Sequence, residues 1–125
     1  MTIAYWCVLA AALIPYFTVA VAKSRGDFDN AAPRDWLARQ EGFRKRALWA
    51  HENAFEAFPP FATAVIIAHL ARAPQGWIDL LAIVFTVARI AYALLYILDK
   101  PTPRSIVWAV GLGCVVGLFI VAAAK

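Results

Sequence analysis

Residues 2–22 run for about twenty positions without a single charge. Wound as a helix at ~1.5 Å per residue, such a segment matches the ~30 Å hydrocarbon thickness of a bilayer. Inside lipid every backbone N–H and C=O must be bonded within the protein, which leaves helices and closed barrels as the only spanning structures. Three more predominantly apolar stretches follow, at residues 47–70, 77–98 and 104–124. Hydrophobic residues make up 63% of the chain and charged ones 16%, against roughly half and a quarter in soluble domains. The expectation is one all-α domain over residues 1–125, an integral-membrane four-helix bundle of antiparallel, up-down topology, with spans at the four stretches named.

The connections fit that reading. Ala71–Gly76 is too short for anything but an antiparallel return, and Asp99–Arg104 is a tight loop stiffened by Pro101 and Pro103. Lys23–Lys45 is the one long polar segment. Within it Pro33 opens a short helix with proline near its first position, and Trp36, Leu37 and Phe43 would let that helix lie along the membrane interface. Ala20-Val21-Ala22 superficially resembles a signal-peptidase site, yet no basic region precedes the apolar run and the run is long, so it reads as a retained first span. The loops after the first and third spans hold most of the lysines and arginines, and the opposite side offers only Arg72 and Lys125. Both termini should therefore face away from the cytoplasm.

Polar groups inside these apolar runs are the candidates for chemistry. At about 100° per residue, Arg46, Trp49, Glu52, Asn53 and Glu56 share one third of a helix circumference, and His51 points away from them. Acids within a membrane segment cost a few kcal/mol each unless they face a partner or a wet cavity. Pro59 and Pro60 should interrupt this second span, freeing the carbonyls of Phe55 and Glu56. On the third span Arg89, Tyr92 and Tyr96 form a second polar face, and the natural partner of so deep an arginine is Glu56 or Glu52. Asp79 is read as complementing the dipole of its own helix. On the fourth span Gly111, Gly113 and Gly117 give a small-residue face for close packing.

Cys7 and Cys114 lie in apolar runs, out of ligand spacing with His51 and His69; both read as small buried hydrophobes, and no metal site is expected. No basic cluster is interleaved with aromatics as in a nucleic-acid surface. The set Arg46, Asn53, Glu56, Arg89, Tyr92, Tyr96 and Arg104 instead describes a polyionic recess, with arginines for carboxylates, acids and an amide for an ammonium, and phenols as donors.

Ala50-His51-Glu52-Asn53-Ala54-Phe55-Glu56 with Pro59, then Arg89-x-x-Tyr92-x-x-x-Tyr96, then an arginine at the head of the last helix, resembles the MAPEG family along essentially the whole chain. That family includes microsomal glutathione transferases and the leukotriene and prostaglandin E synthases. The resemblance implies a homotrimer, surrounded by membrane lipids, that holds glutathione between subunits as co-substrate and takes hydrophobic small molecules from the bilayer. For a small member of bacterial type, the location implied is the inner membrane. It also implies that Asn53 and Glu56 anchor glutathione, that Arg89, Tyr92 and Tyr96 line the recess, and that Arg104 stands near the sulfur with a tyrosine hydroxyl assisting, Tyr96 foremost. A free thiol titrates near ~8.5, and a cation within a few Å lowers that value and raises the thiolate fraction. This chain departs from the eicosanoid branch in having Trp49 where that branch has an arginine four residues before the asparagine, with Arg46 one turn earlier as a substitute.

Two other functional readings stand beside this one. A binding or structural membrane protein would keep the fold while its ions pair only among themselves. A small drug exporter needs a titratable group deep in the first span, and residues 2–22 carry no charged side chain there.

Overall fold

In a computed structural model, residues 1–124 are described; Lys125, one of the two basic residues assigned to the far side, lies outside them. The order is α1 (Ile3–Ala22), α2 (Pro33–Ala38), α3 (Phe43–Leu70), α4 (Gln75–Ile97) and α5 (Pro101–Ala123), with no strand among the described residues. Successive long helices run in opposite directions. Thr2 meets His69 and Ala4 meets Asp79 at one end, whereas Arg46 meets Ile97 at the other.

Helices α1, α4 and α5, of 20, 23 and 23 residues, are long and apolar enough to cross a membrane, and the chain is a membrane protein by that measure. Within the chain only 28%, 39% and 22% of their most apolar windows is buried, so most of that apolar surface faces outward. Helix α3, at 28 residues, is the longest, but its charged first turns and, further along, Asn53, Glu56, Pro59, Pro60 and His69 keep it out of that class. It starts four residues before the expected boundary, and α5 starts at Pro101, where proline suits the first turn.

The interior is built on small residues that let helices approach and a few large ones that fill the gaps. Phe61 of α3 stacks on Phe85 of α4 with centroids 3.9 Å apart. Ala4, Ala64, Ala68, Ile78 and Leu118 are fully buried around that pair. A second cluster joins Ala22, Trp36, Leu37 and Ala47 near the long loop. Trp36 and Leu37 thus turn inward, contrary to the interfacial placement expected of them, because α2 folds back over the ends of α1 and α3 and buries its apolar side there. Phe43 belongs to α3 and is exposed.

Four further expectations are corrected. Helix α3 runs unbroken through Pro59 and Pro60; the buried flank of Phe61, Ala64 and Val65 fixes the helix beyond the two lost hydrogen bonds, as packed membrane helices allow. Asp79 does not serve its own helix. It lies in the second turn of α4, where its carboxylate accepts from the backbone N–H of Ala4 at 3.0 Å and from Gln75 Nε2 at 2.9 Å, capping α1 instead. Of the three glycines on α5, Gly113 faces open space, while a Cβ at Gly117 would meet Leu81 at 3.3 Å and one at Gly111 would meet Phe85 at 3.7 Å. The α4–α5 contact therefore runs along Gly111 and Gly117. Both cysteines are free thiols; Cys114 is buried, but Cys7 is only half-buried.

Candidate functional site

Three helices present the same spacing to one side of the molecule. Trp49, Asn53, Glu56 and Pro60 on α3, Phe85, Arg89, Tyr92 and Tyr96 on α4, and Arg104, Trp108, Gly111 and Val115 on α5 each step by four, three and four residues, which keeps each set on one helical face. Two adjoining depressions lie along these faces. The first, about 340 Å³, is polar and lined by Trp49, Glu52, Asn53, Glu56, Tyr92 and Tyr96. The second, about 230 Å³, lies on the other side of Asn53 and Glu56 and continues between α3 and α5 past Arg89 and Trp108.

Arg89 is only 5% exposed, and a guanidinium so placed needs an acceptor. Its Nη2 donates to Asn53 Oδ1 at 2.6 Å, and Asn53 Nδ2 in turn donates to Glu56 Oε2 at 3.4 Å. The acid expected as its partner is therefore reached through an amide. Among the described residues the one ion pair within 4.0 Å is Arg25 with Asp27, in the loop between α1 and α2. The reason is positional: Asn53 is half-buried on the side of α3 that meets Arg89, and Glu52 and Glu56 stay exposed on its flank. Arg89 fixes which way the Asn53 amide faces, and with it the donor turned toward the hollow.

Aromatic rings extend the arrangement. Arg89 lies 4.3 Å from the centroid of the Tyr92 ring, Tyr92 meets Tyr96 edge to face at 5.6 Å, and Arg104 lies 4.4 Å from the Tyr96 centroid. Two guanidinium groups thus close the ends of a tyrosine pair, each held over a ring face where the quadrupole favours a cation. Trp49 stands 6.2 Å from Tyr96 and completes the wall.

The structure thus brings together Asn53, Glu56, Arg89, Tyr92, Tyr96 and Arg104. Arg46 is elsewhere: its Nε donates to the carbonyl of Ile97 at 3.1 Å, satisfying the end of α4, and it borders a neighbouring hollow with Gln40, Glu41, Lys45 and Asp99. Only Trp49 is shared between that hollow and the polar one. His51 does face away from the stripe, donating from Nδ1 to the carbonyl of Pro15 on α1 at 2.7 Å. Two lining residues carry no site role in the sequence reading, which gives Gly111 a packing role and Trp108 none. Their spacing carries the signal, since they follow Arg104 by four and seven residues, but neither is a charged or carboxamide group of the kind that marks a site inside an apolar run.

Chemically, the polar hollow offers two carboxylates, an oriented amide and two phenols, with a cation stacked at its edge. That set suits a small zwitterion and a nucleophile whose anionic form needs a nearby positive charge. No curated protein and no solved structure matches the chain. The family model described as the MAPEG family matches residues 3–124, nearly the whole length, and the chain belongs to that family.

Proposed function

We propose that this protein is a membrane-embedded glutathione-dependent transferase, with peroxidase-like turnover open to the same site, acting on hydrophobic electrophiles. MAPEG members include glutathione transferases and synthases, and the observation that carries the reading is the continuous chain Glu56–Asn53–Arg89–Tyr92–Tyr96–Arg104. In this proposal α3 is the second of four membrane spans, its polar head emerging on the cytoplasmic side of an inner membrane, with both termini opposite. Three copies assemble, and glutathione sits against the polar hollow at the boundary between two of them. Asn53 and Glu56 hold its polar ends, Tyr92 and Tyr96 donate to it, and Arg89 keeps Asn53 oriented. Arg46, with only Nε engaged to Ile97, offers its Nη donors to a carboxylate reaching past Trp49.

Arg104 is the proposed catalytic cation. Held over Tyr96 on the first turn of α5, it lowers the thiol pKa of bound glutathione by Coulomb attraction, each unit corresponding to about 1.4 kcal/mol of preferential stabilisation of the thiolate. The Tyr96 hydroxyl assists as a donor. The competing idea of ions satisfied only by one another is disfavoured, because Arg89 is held by a neutral amide.

The test is ultraviolet difference spectroscopy of the purified protein with glutathione near pH 7. The thiolate band is expected in the wild type and at least tenfold weaker in Arg104→Ala, with calorimetric binding retained. Absence of both the band and calorimetric binding in the wild type would remove the catalytic assignment.

A further inference from the structure

Helices α1 and α4 run parallel, since Ala4 meets Asp79 at one end and Val21 and Ile97 both pack on the Trp36–Leu37 cluster at the other. Between them lies a groove of about 430 Å³, larger than either depression of the site and sharing no residue with them. Its floor holds Thr18 and Ala93, both buried, and its rims are the exposed Leu13 and Phe17 on α1 and Ile90 and Leu94 on α4. The hydroxyl of Thr18 donates to the carbonyl of Pro15 at 2.9 Å, so the groove presents hydrocarbon alone. Along α1 its lining runs from Ala10 to Val21, about 16–17 Å at ~1.5 Å per residue, and half of a ~30 Å hydrocarbon core is about 15 Å. The groove therefore traverses one leaflet, the one on the side of α2. At that end stand two lysines. Lys23 follows Val21 by two residues and Lys100 follows Ile97 by three, and neither has a carboxylate within 4.0 Å among the described residues. Lys23 is held with its Nζ 5.0 Å from the centroid of Phe28, which itself meets Trp36 edge to face. The acids closest in sequence are directed elsewhere, Asp27 to Arg25 and Asp99 to the hollow beside Arg46.

We infer that this groove binds an anionic glycerophospholipid, one acyl chain lying between α1 and α4 and the phosphate resting at Lys23 and Lys100. A helix of a second copy is poorly served there. Within a bilayer, helices associate through small residues that permit close approach and through hydrogen bonds between helices, and rims of leucine, phenylalanine and isoleucine with no free donor offer neither. A flexible chain follows branched rims and restores the dispersion contacts that a gap forfeits. Lysine carries its ammonium on a four-carbon stem and reaches headgroup level from a helix end, and basic groups beside a span favour anionic over zwitterionic lipids. The lipid and the ligand of the polar hollow do not compete. Ile90 and Leu94 precede Tyr92 and Tyr96 by two residues each, about 200° around α4, so groove and hollow occupy opposite faces of one helix.

Native mass spectrometry of the full-length protein in detergent tests the assignment, with phosphatidylglycerol and phosphatidylcholine of identical palmitoyl and oleoyl chains as probes. Phosphatidylglycerol is expected to bind at one per chain and at least tenfold more tightly than phosphatidylcholine. Lys23→Gln with Lys100→Gln, neither lysine being buried, is expected to abolish that preference, and Ala93→Leu, which fills the floor, to weaken both lipids at least fivefold. Glycerophosphoglycerol, the headgroup without chains, should not displace the lipid at hundredfold excess. Equal affinity of the wild type for the two lipids, or a preference that survives loss of both lysines, overturns the headgroup assignment. Undiminished binding to Ala93→Leu overturns the groove, and displacement by glycerophosphoglycerol reduces the site to one for free phosphate. A second reading does not depend on the folding of Ala93→Leu. In nanodiscs, a bimane label on Leu94→Cys in a Cys7→Ser, Cys114→Ala background should be quenched more strongly by doxyl-labelled phosphatidylglycerol than by the matching phosphatidylcholine. A label on Ile120→Cys, at an exposed position of α5, should be quenched equally by the two. Equal quenching at position 94 refutes the proposal, and efficient cross-linking of Leu94→Cys between copies replaces the lipid with a second chain.

Discussion

Replacing Asn53 by alanine takes away the acceptor 2.6 Å from Arg89 Nη2 and the donor to Glu56 together. A buried charged donor left without its partner costs about 1–3 kcal/mol or somewhat more, so Asn53→Ala should lower the thermal midpoint in detergent and abolish calorimetric glutathione binding. Asn53→Asp restores the acceptor and should recover most of the stability, yet it sets a third carboxylate beside Glu52 and Glu56 and should weaken glutathione binding at least tenfold. If the two variants lost binding and stability in parallel, the amide would be a packing element and not an oriented ligand. At this scale the sequence was informative about which residues share a face, because helical spacing fixes direction. It was not informative about which of them pair: charge alone favours Glu56 for Arg89, and only the differing depth of Asn53 and Glu56 on α3 decides otherwise.

Helix identities and most of their extents were legible from apolar run lengths, but their ends were not. The heads of α3 and α5 lie in charged or proline-bearing sequence that hydropathy assigns to loops. The C-termini show a feature that hydropathy cannot register. Arg72 and Asp99 both sit at positive φ, 58° and 60°, just past α3 and α4, where the N–H of Ala73 returns to Ala68 O and that of Lys100 to Leu95 O. Glycine is the residue this left-handed stop favours. Arg72→Gly should therefore raise stability by up to about 1 kcal/mol, the relief of left-handed strain exceeding the added freedom of the unfolded chain; an unfolding midpoint below that of the wild type would contradict it. The glycines of α5 divide in the same physical way. Gly117→Leu must displace Leu81 from a 3.3 Å contact and should cost about 1–3 kcal/mol, whereas Gly113→Leu, with nothing within 4 Å, should fall within about 0.5 kcal/mol of wild type. The sequence motif contained both glycines and could not say which one the helix turned inward.

Across the whole molecule, the apolar surface that α1, α4 and α5 leave uncovered is what a bilayer accepts, and the exposed flank of α3 is what it refuses. Glu52, Glu56 and Trp49 lie exposed on that flank of a single chain, and each carboxylate facing hydrocarbon would cost a few kcal/mol. A neighbouring copy that encloses a wet recess removes the conflict, and it supplies the second wall that a ligand lying in the polar hollow would need. Native mass spectrometry from nanodiscs should accordingly give three times the 13.7 kDa chain. The finer prediction concerns which surface the copies share. A bimane label on Glu52→Cys in a Cys7→Ser, Cys114→Ala background should be insensitive to doxyl quenchers carried on lipid chains, whereas a label on Ile120→Cys, at a 60% exposed apolar position of α5, should be strongly quenched. Equal quenching at both positions would mean that the acids of α3 face lipid, and the hollow would then be a groove on a monomer with no second wall. Strong quenching at 120 alone, with the trimeric mass, places the α3 flank at the boundary between copies, where the carboxylates and Asn53 can meet a polar ligand out of reach of the acyl chains.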